Sequence, residues 1–145
     1  MSMQKEGKFM VAMGAIVENE ESGKILLLKR TSKADFSGGI WEDITGRMKQ
    51  FEEPNEALKR EIQEECGLEV EIVKPINVFH LFRGEKNAEN ELVGIIFWCK
   101  AQSETVTLSG EHTEYKWVTP AEALSVVEHP GVTEDIKAFL KEKGL

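Results

Sequence analysis

Pro54-Asn-Glu-Ala-Leu-Lys-Arg60-Glu-Ile-Gln-Glu-Glu-Cys66-Gly67 is the stretch from which the fold is read. Proline suits a first helical turn, where its missing N–H would have no partner anyway, and glycine suits the left-handed position just past a helix end. Between those two stops, Ala57, Leu58 and Ile62 recur at helical spacing among good helix formers. The pattern predicts a helix over 54–66, with Leu58 and Ile62 facing a core. At about 100° per residue, Glu61, Glu64 and Glu65 then point to one side, on the border between buried and exposed surface.

Such a helix is electrostatically poor. Like charges three and four residues apart repel by roughly 0.2–0.5 kcal/mol per pair. Glu64 and Glu65 also occupy the last turn, where the helix dipole favours cations instead. Two readings fit these residues. One is a solvated acidic face with Lys59 and Arg60 as local counter-ions. The other is a hard-cation site, because Mg²⁺ prefers carboxylate oxygens, keeps several waters and is completed by substrate phosphates. A set built from carboxylates suits Mg²⁺ or Mn²⁺ better than zinc. Periodicity alone leaves both readings open.

Working outward, Lys8–Val17 and Lys24–Arg30 are apolar, β-compatible runs joined by a polar turn, and they read as a hairpin. The residues from Thr31 to Gly39 read as a loop, and those from Gly39 to Thr45 as a short strand. Beyond the helix, Leu68–Val73 and Ile76–Phe82 read as strands separated by Pro75, with a polar connector to Asn90 and a strong strand over Glu91–Ala101. Tyr115–Val118 reads as a short strand, and Ala121–Val127 and Thr133–Lys143 as helices. Trp98 and Trp117 read as core. The mixture, opening on a hairpin, points to an α/β fold with a mixed sheet and helices on both faces.

The chain of 145 residues is most simply one domain, 1–145. With 41% hydrophobic and 30% charged residues it lies in the globular range. No apolar run approaches the ~18 residues of a membrane helix, and Met1–Glu6 has no signal core, so the expectation is a soluble, cytoplasmic chain without membrane contact. Eighteen basic against 26 acidic residues give a net charge of −8, which argues against binding a nucleic acid polymer. A small phosphorylated substrate remains compatible, since a divalent cation can stand between two sets of anions. Cys66 and Cys99 have no CxxC partner and read as reduced, structural thiols.

What surrounds the helix narrows the choice. Gly46 is followed by five residues, Glu52, seven residues, and then Arg60-Glu61-Ile62-Gln63-Glu64-Glu65-Cys66-Gly67-Leu68. This run resembles, at every fixed position, the signature of the Nudix hydrolases, the MutT-like family. A chance match in a chain of this length is on the order of one in a million or rarer. The resemblance implies an α/β/α sandwich with a mixed sheet, and hydrolysis of a nucleoside diphosphate linked to a further group. It also implies one or more divalent cations, Mg²⁺ or Mn²⁺. Glu61, Glu64 and Glu65 would be side-chain metal ligands joined by the backbone carbonyl of Gly46. Arg60 would orient Glu61 or Glu52. The general base would be Glu61 or, from a later loop, Glu111, with His112 and Glu114 as weaker neighbours.

Substrate contacts follow less directly. The resemblance places Arg30 near phosphates, and Arg83 and Lys86 lie in a connector within reach of them. Phe36, Trp41, His80 and Phe82 are candidates to stack on a base. Relatives often read Pro-Gly where this chain has Ile44-Thr45, and the marks of several subgroups are missing beyond Leu68. By exclusion the expected substrate is a nucleoside triphosphate, ordinary or oxidised, cleaved to monophosphate and pyrophosphate. Nucleotide sugars or non-nucleotide diphosphates are the alternative substrates, and a catalytically silent nucleotide sensor is the alternative of another class. Many members of the family are homodimers.

Overall fold

An unbroken apolar run suits a strand covered on both faces, and Val11–Val17 forms the middle of β1 (Met10–Asn19), the strand on which the sheet is assembled. The computed structural model describes residues 5–31 and 39–145. In it, β6 (Glu91–Ala101) runs parallel to β1 along its whole length. On the other side of β1 lie β2 (Ile25–Arg30), its hairpin partner, and β4 (Ile44–Arg47), both antiparallel to it. Outside β6 comes β5 (Glu71–Phe82), and on β2 lie β3 (Trp41–Glu42) and β7 (His112–Val118). The sheet is mixed, as expected.

Side-chain alternation divides the core between its two faces. Leu26 and Leu28 of β2 join Met13, Ala15 and Val17 beneath α1 (Pro54–Cys66), which contributes Ala57, Leu58, Ile62 and Cys66. Ile25 and Leu27 join Ile16 and Ile96 on the opposite face, beneath α2 (Pro120–Val126) and α3 (Pro130–Glu142), which contribute Ala123, Ile136 and Phe139. Each fully buried Leu, Ile, Val, Met or Phe among them contributes roughly 1.5–3 kcal/mol. Among the described residues, three α-helices on two faces of a mixed sheet give the α/β/α arrangement. Both thiols are free and buried, and burial pushes Cys66 up to about 11 and Cys99 up to about 12.

The signals read for α1 are the ones that bound it. Pro54 is in the first turn, and Gly67 sits at φ 70° with its N–H bonded to the Gln63 carbonyl at 2.9 Å. Elsewhere the expectations need correction. Pro75 does not separate two strands, because β5 runs through it with register shifts on either side. The strand is the outermost of the sheet, where a residue without an N–H costs little. Residues 39–45 contribute to two short strands rather than one. The strand expected at Tyr115 starts earlier, at His112. The helix expected at Thr133 begins at Pro130, with the His129 side chain accepting from the Gly131 N–H at 3.0 Å. Most of the loop expected over 31–39 lies outside the described residues. Trp98 and Trp117 are only part-buried and lie against the two cores. No helix among the described residues is long and apolar enough to cross a membrane.

Candidate active site

Pairing of β4 with β1 brings Gly46 opposite Met13, on the side of the sheet that α1 covers. A Cβ at residue 46 would overlap the carboxylate of Glu61. Gly46 is not among the residues with positive φ, so glycine is required here by what fills the side-chain space and not by a backbone angle. The glutamate and the glycine backbone are thereby held against each other.

Arg60 gathers the acids around that contact. Its Nε and Nη2 donate to the two oxygens of Glu52 at 2.7 and 2.8 Å, a bidentate pair. Its Nη1 donates to Glu61 Oε1 at 2.9 Å and to Glu64 Oε2 at 3.2 Å, and Nη2 also reaches the Arg47 carbonyl at 3.1 Å. The sequence left Arg60 a choice between Glu61 and Glu52, and it serves both. Hydrogen bonds from Arg60 hold the Glu52 carboxyl down to about 2. Burial acts the other way on Glu61 and outweighs Arg60, leaving that carboxyl above its usual value. Glu61 and Glu65 are buried while Glu64 is exposed, so the three glutamates do not share one environment.

Glu65 belongs to a second knot, centred on His112. The imidazole is buried, with Nε2 3.0 Å from Glu42 Oε1 and Nδ1 2.8 Å from Glu65 Oε2. The Nδ1 contact is an ion pair, with the N–H turned off the line of a hydrogen bond. Burial opposes the charge on His112, but the two carboxylates prevail and push it up to about 9. Burial likewise opposes ionisation of Glu65, and the contacts with His112, Ser109 and Glu111 outweigh it and hold Glu65 below its usual value. The Ser109 hydroxyl donates to Glu65 Oε2 at 3.1 Å. Glu111, singled out from the sequence, is thus at the glutamate cluster. His112 has a larger part than the sequence suggested, for no spacing along the chain links Glu42, Glu65 and His112.

Both knots open onto one groove of about 1330 Å³. Glu61, Glu64, Glu65, Arg60 and Glu111 line one part of it. Arg30 lines it too and stands 3.5 Å from Glu42. Arg83 and His80 reach the rim, but Phe82 is not among the lining residues, and its ring makes an edge contact with His80 at 5.4 Å between centroids. Trp41 lies outside the groove beneath Lys116, and Glu114 pairs with Lys29 at 3.3 Å. Phe36 lies outside the described residues.

The opposite wall carries acids that the sequence did not flag. Asp43, between β3 and β4, and Asp135 of α3 are both buried, and Asn77 of β5 donates to Asp135 Oδ1 at 2.9 Å. Burial first, and then the neighbouring Asp135 carboxyl, push Asp43 well above its usual value. Burial does the same to Asp135. Two adjacent buried carboxyls of this kind resist carrying two charges together.

Carboxylates and a backbone carbonyl are the donors that a hard cation takes. Among the described residues, no three His, Cys, Asp or Glu side chains already converge as a metal cage. The glutamates face Arg60 and His112 instead. That arrangement fits a cation such as Mg²⁺, which needs only one or two carboxylates when waters and phosphates complete its shell.

Comparison with known proteins adds four findings. A family model described as the NUDIX domain matches residues 8–141. A nucleoside triphosphatase, NudI, of Enterobacter sp. (strain 638) is 31% identical over 137 residues, covering 90% of this chain and 93% of the relative. The CTP pyrophosphohydrolase of Escherichia coli (strain K12) is 26% identical over 133 residues, covering 92% of this chain and 93% of its own length. Among solved structures, the MutT protein from Methanosarcina mazei Go1 superposes with a TM-score of 0.78 at 24% identity, covering 98% of this chain and all of the other.

Proposed function

This chain belongs to the Nudix hydrolase family, and on that premise we propose that it is a Mg²⁺-dependent enzyme cleaving a nucleoside triphosphate to the monophosphate and pyrophosphate. It is a pyrophosphohydrolase, and relatives at low identity are named for nucleoside triphosphates. The observation that carries the reading is the Glu61 carboxylate lodged where a side chain at Gly46 would lie, with Arg60 holding its Oε1. A fold that needed only packing at this place would put an apolar side chain there.

Glu61, Glu64 and Glu65, with the Gly46 carbonyl, would hold the cation. When bound, Mg²⁺ offsets phosphate charge and lowers the pKa of an attacking water. The protein's own groups do the rest. Arg60 fixes the carboxylates, and its five-donor fork cannot lose its proton at working pH. Glu111 beside Glu65 accepts the proton of the water, a step worth roughly 10²–10⁴-fold. Arg30 and Arg83, both on the groove, meet the phosphates. Asp43, Asn77 and Asp135 on the far wall offer hydrogen-bonding groups to the edge of a base. Residues 1–145 act as one domain in this reading.

The test is release of phosphate and pyrophosphate from a panel of nucleoside triphosphates, nucleotide sugars and prenyl diphosphates with Mg²⁺, Mn²⁺ or EDTA. Metal-dependent pyrophosphate release from triphosphates is the expected result. Turnover of nucleotide sugars alone would overturn the substrate class. Nucleotide binding with no turnover of any compound would make the domain a sensor.

A further inference from the structure

We propose that His112 is a positioning residue that sets Glu65 in place for the divalent cation by spanning Glu42 and Glu65. The inference rests on the reading of Glu65 as a metal ligand. Three elements far apart in sequence meet at this imidazole: β3 through Glu42, α1 through Glu65, and the first residue of β7, His112 itself. The ring is rigid, and its two nitrogens diverge at a fixed angle. Its contacts at 3.0 and 2.8 Å therefore fix one carboxylate relative to the other.

Packing alone does not call for histidine here. The side chain is 4% exposed, and an apolar residue of similar size would fill the volume without two polar atoms to satisfy. What the imidazole adds is a hydrogen bond to Glu42 and a close charged contact with Glu65, and where the second lands is informative. His112 and Ser109 both meet Oε2 of Glu65, and neither uses Oε1. A glutamate side chain turns about three bonds, so anchoring one oxygen sets the direction of the other. Glu42 is braced in turn by Arg30 at 3.5 Å. The preceding residue, Glu111, accepts from the Thr31 N–H at its carbonyl at 3.0 Å, so the backbone leading into β7 is itself fixed. Partners that orient a ligand in this way govern metal affinity, and their loss costs about 10–100-fold.

The two arms of the imidazole can be separated. In His112→Gln the amide takes the place of Nε2 and keeps the Glu42 contact, while in His112→Asn it takes the place of Nδ1 and keeps the Glu65 contact. Mn²⁺ binding, read by electron paramagnetic resonance without substrate, is measured beside thermal melting for both variants, for Ser109→Ala and for Glu65→Gln. The expected result is Mn²⁺ affinity about 10–100-fold weaker in His112→Gln, weakened less in His112→Asn, which keeps the Glu65 arm but loses the brace on Glu42, and weakened in the same direction in Ser109→Ala. Equal affinity in the two histidine variants, or losses that simply track melting temperature, would overturn the proposal. If Glu65→Gln weakens Mn²⁺ binding and the histidine variants do not, this proposal alone falls. If Glu65→Gln binds Mn²⁺ as wild type does, the ligand reading falls and takes the proposal with it.

Discussion

The groove has two acidic walls, and they manage their charge by opposite means. On the α1 wall, Glu52, Glu61, Glu64, Glu65 and Glu42 face two cations of the protein itself, Arg60 and His112, at 2.7–3.2 Å. On the α3 wall, Asp43 and Asp135 are buried without a lysine or arginine paired to them among the described residues, and burial raises both carboxyls. One wall supplies its acids with cationic partners. The other keeps them from charging fully by withholding water. The first suits the holding of a cation, because a carboxylate neutralised by arginine can exchange that partner for a metal without losing its own charge. The second sets two carboxyls that resist ionising beside the Asn77 amide, which suits hydrogen bonding to a neutral ring edge.

The difference predicts that removing charge will be costly on one wall and favourable on the other. Glu61→Gln, Glu65→Gln and Glu111→Gln should each keep the fold and lower turnover at least about a hundredfold, since each removes a charge from the cation and water machinery. Steady-state rates beside circular dichroism check this. Near-normal rates in both Glu61→Gln and Glu65→Gln would remove the α1 wall from the chemistry.

Gly46→Ala probes the same wall without touching an acid. The added methyl overlaps the Glu61 carboxylate, the far end of a flexible side chain, so the fold accommodates it by moving Glu61. Turnover should fall roughly tenfold or more, as expected when a catalytic group is displaced by about an ångström, while melting temperature changes little. Melting lowered as far as in a core truncation would mean that Glu61 is held too firmly to yield.

Both sides of the comparison depend on facts that were unequally legible in the sequence. Pro54 and Gly67 act on their own backbone, so the bounds of α1 could be read locally, and so could the apolar length of β6. Arg60 was legible because its partners lie within one or two turns or in the adjoining loop. His112 was legible only as a neighbour of Glu111, since Glu42 and Glu65 are brought to it by strand order. Asp43 gave no signal at all. It falls in the stretch read as one short strand, and only the packing of α3 over the sheet makes it a buried acid. Pro75 misled for the same reason, because edge position is a property of the whole sheet.

For the α3 wall, Asp43→Asn is expected to stabilise the protein at neutral pH. Below its ordinary value of 3.8, Asp43 is protonated folded or unfolded, and the substitution changes little. Above that, the unfolded chain ionises while the buried carboxyl resists, so the folded state holds more protons and stability falls as pH rises toward the raised folded value. Asparagine removes this penalty and can donate to Asp135. Urea unfolding should give a gain on the order of 1–2 kcal/mol at pH 7.5, shrinking toward zero near pH 4. A loss of stability at pH 7.5 would show Asp43 to be charged and paired, and the two walls to be alike.

The smallest effect belongs to an acid on neither wall. Glu114 is three residues from Glu111, on the same β-strand ladder as Lys29, to which it pairs at 3.3 Å with its side chain 58% exposed. Water, rather than a cation or a proton, manages its charge, and a surface pair of this kind contributes roughly 0–1 kcal/mol. Glu114→Gln should therefore leave turnover unchanged and shift stability by no more than about 0.5 kcal/mol, less still at high salt. Measured beside Glu111→Gln, it separates proximity in sequence from membership of the groove. A turnover loss in Glu114→Gln matching that of Glu111→Gln would mean that the whole acidic run before Trp117, and not one side chain at the glutamate cluster, serves the reaction.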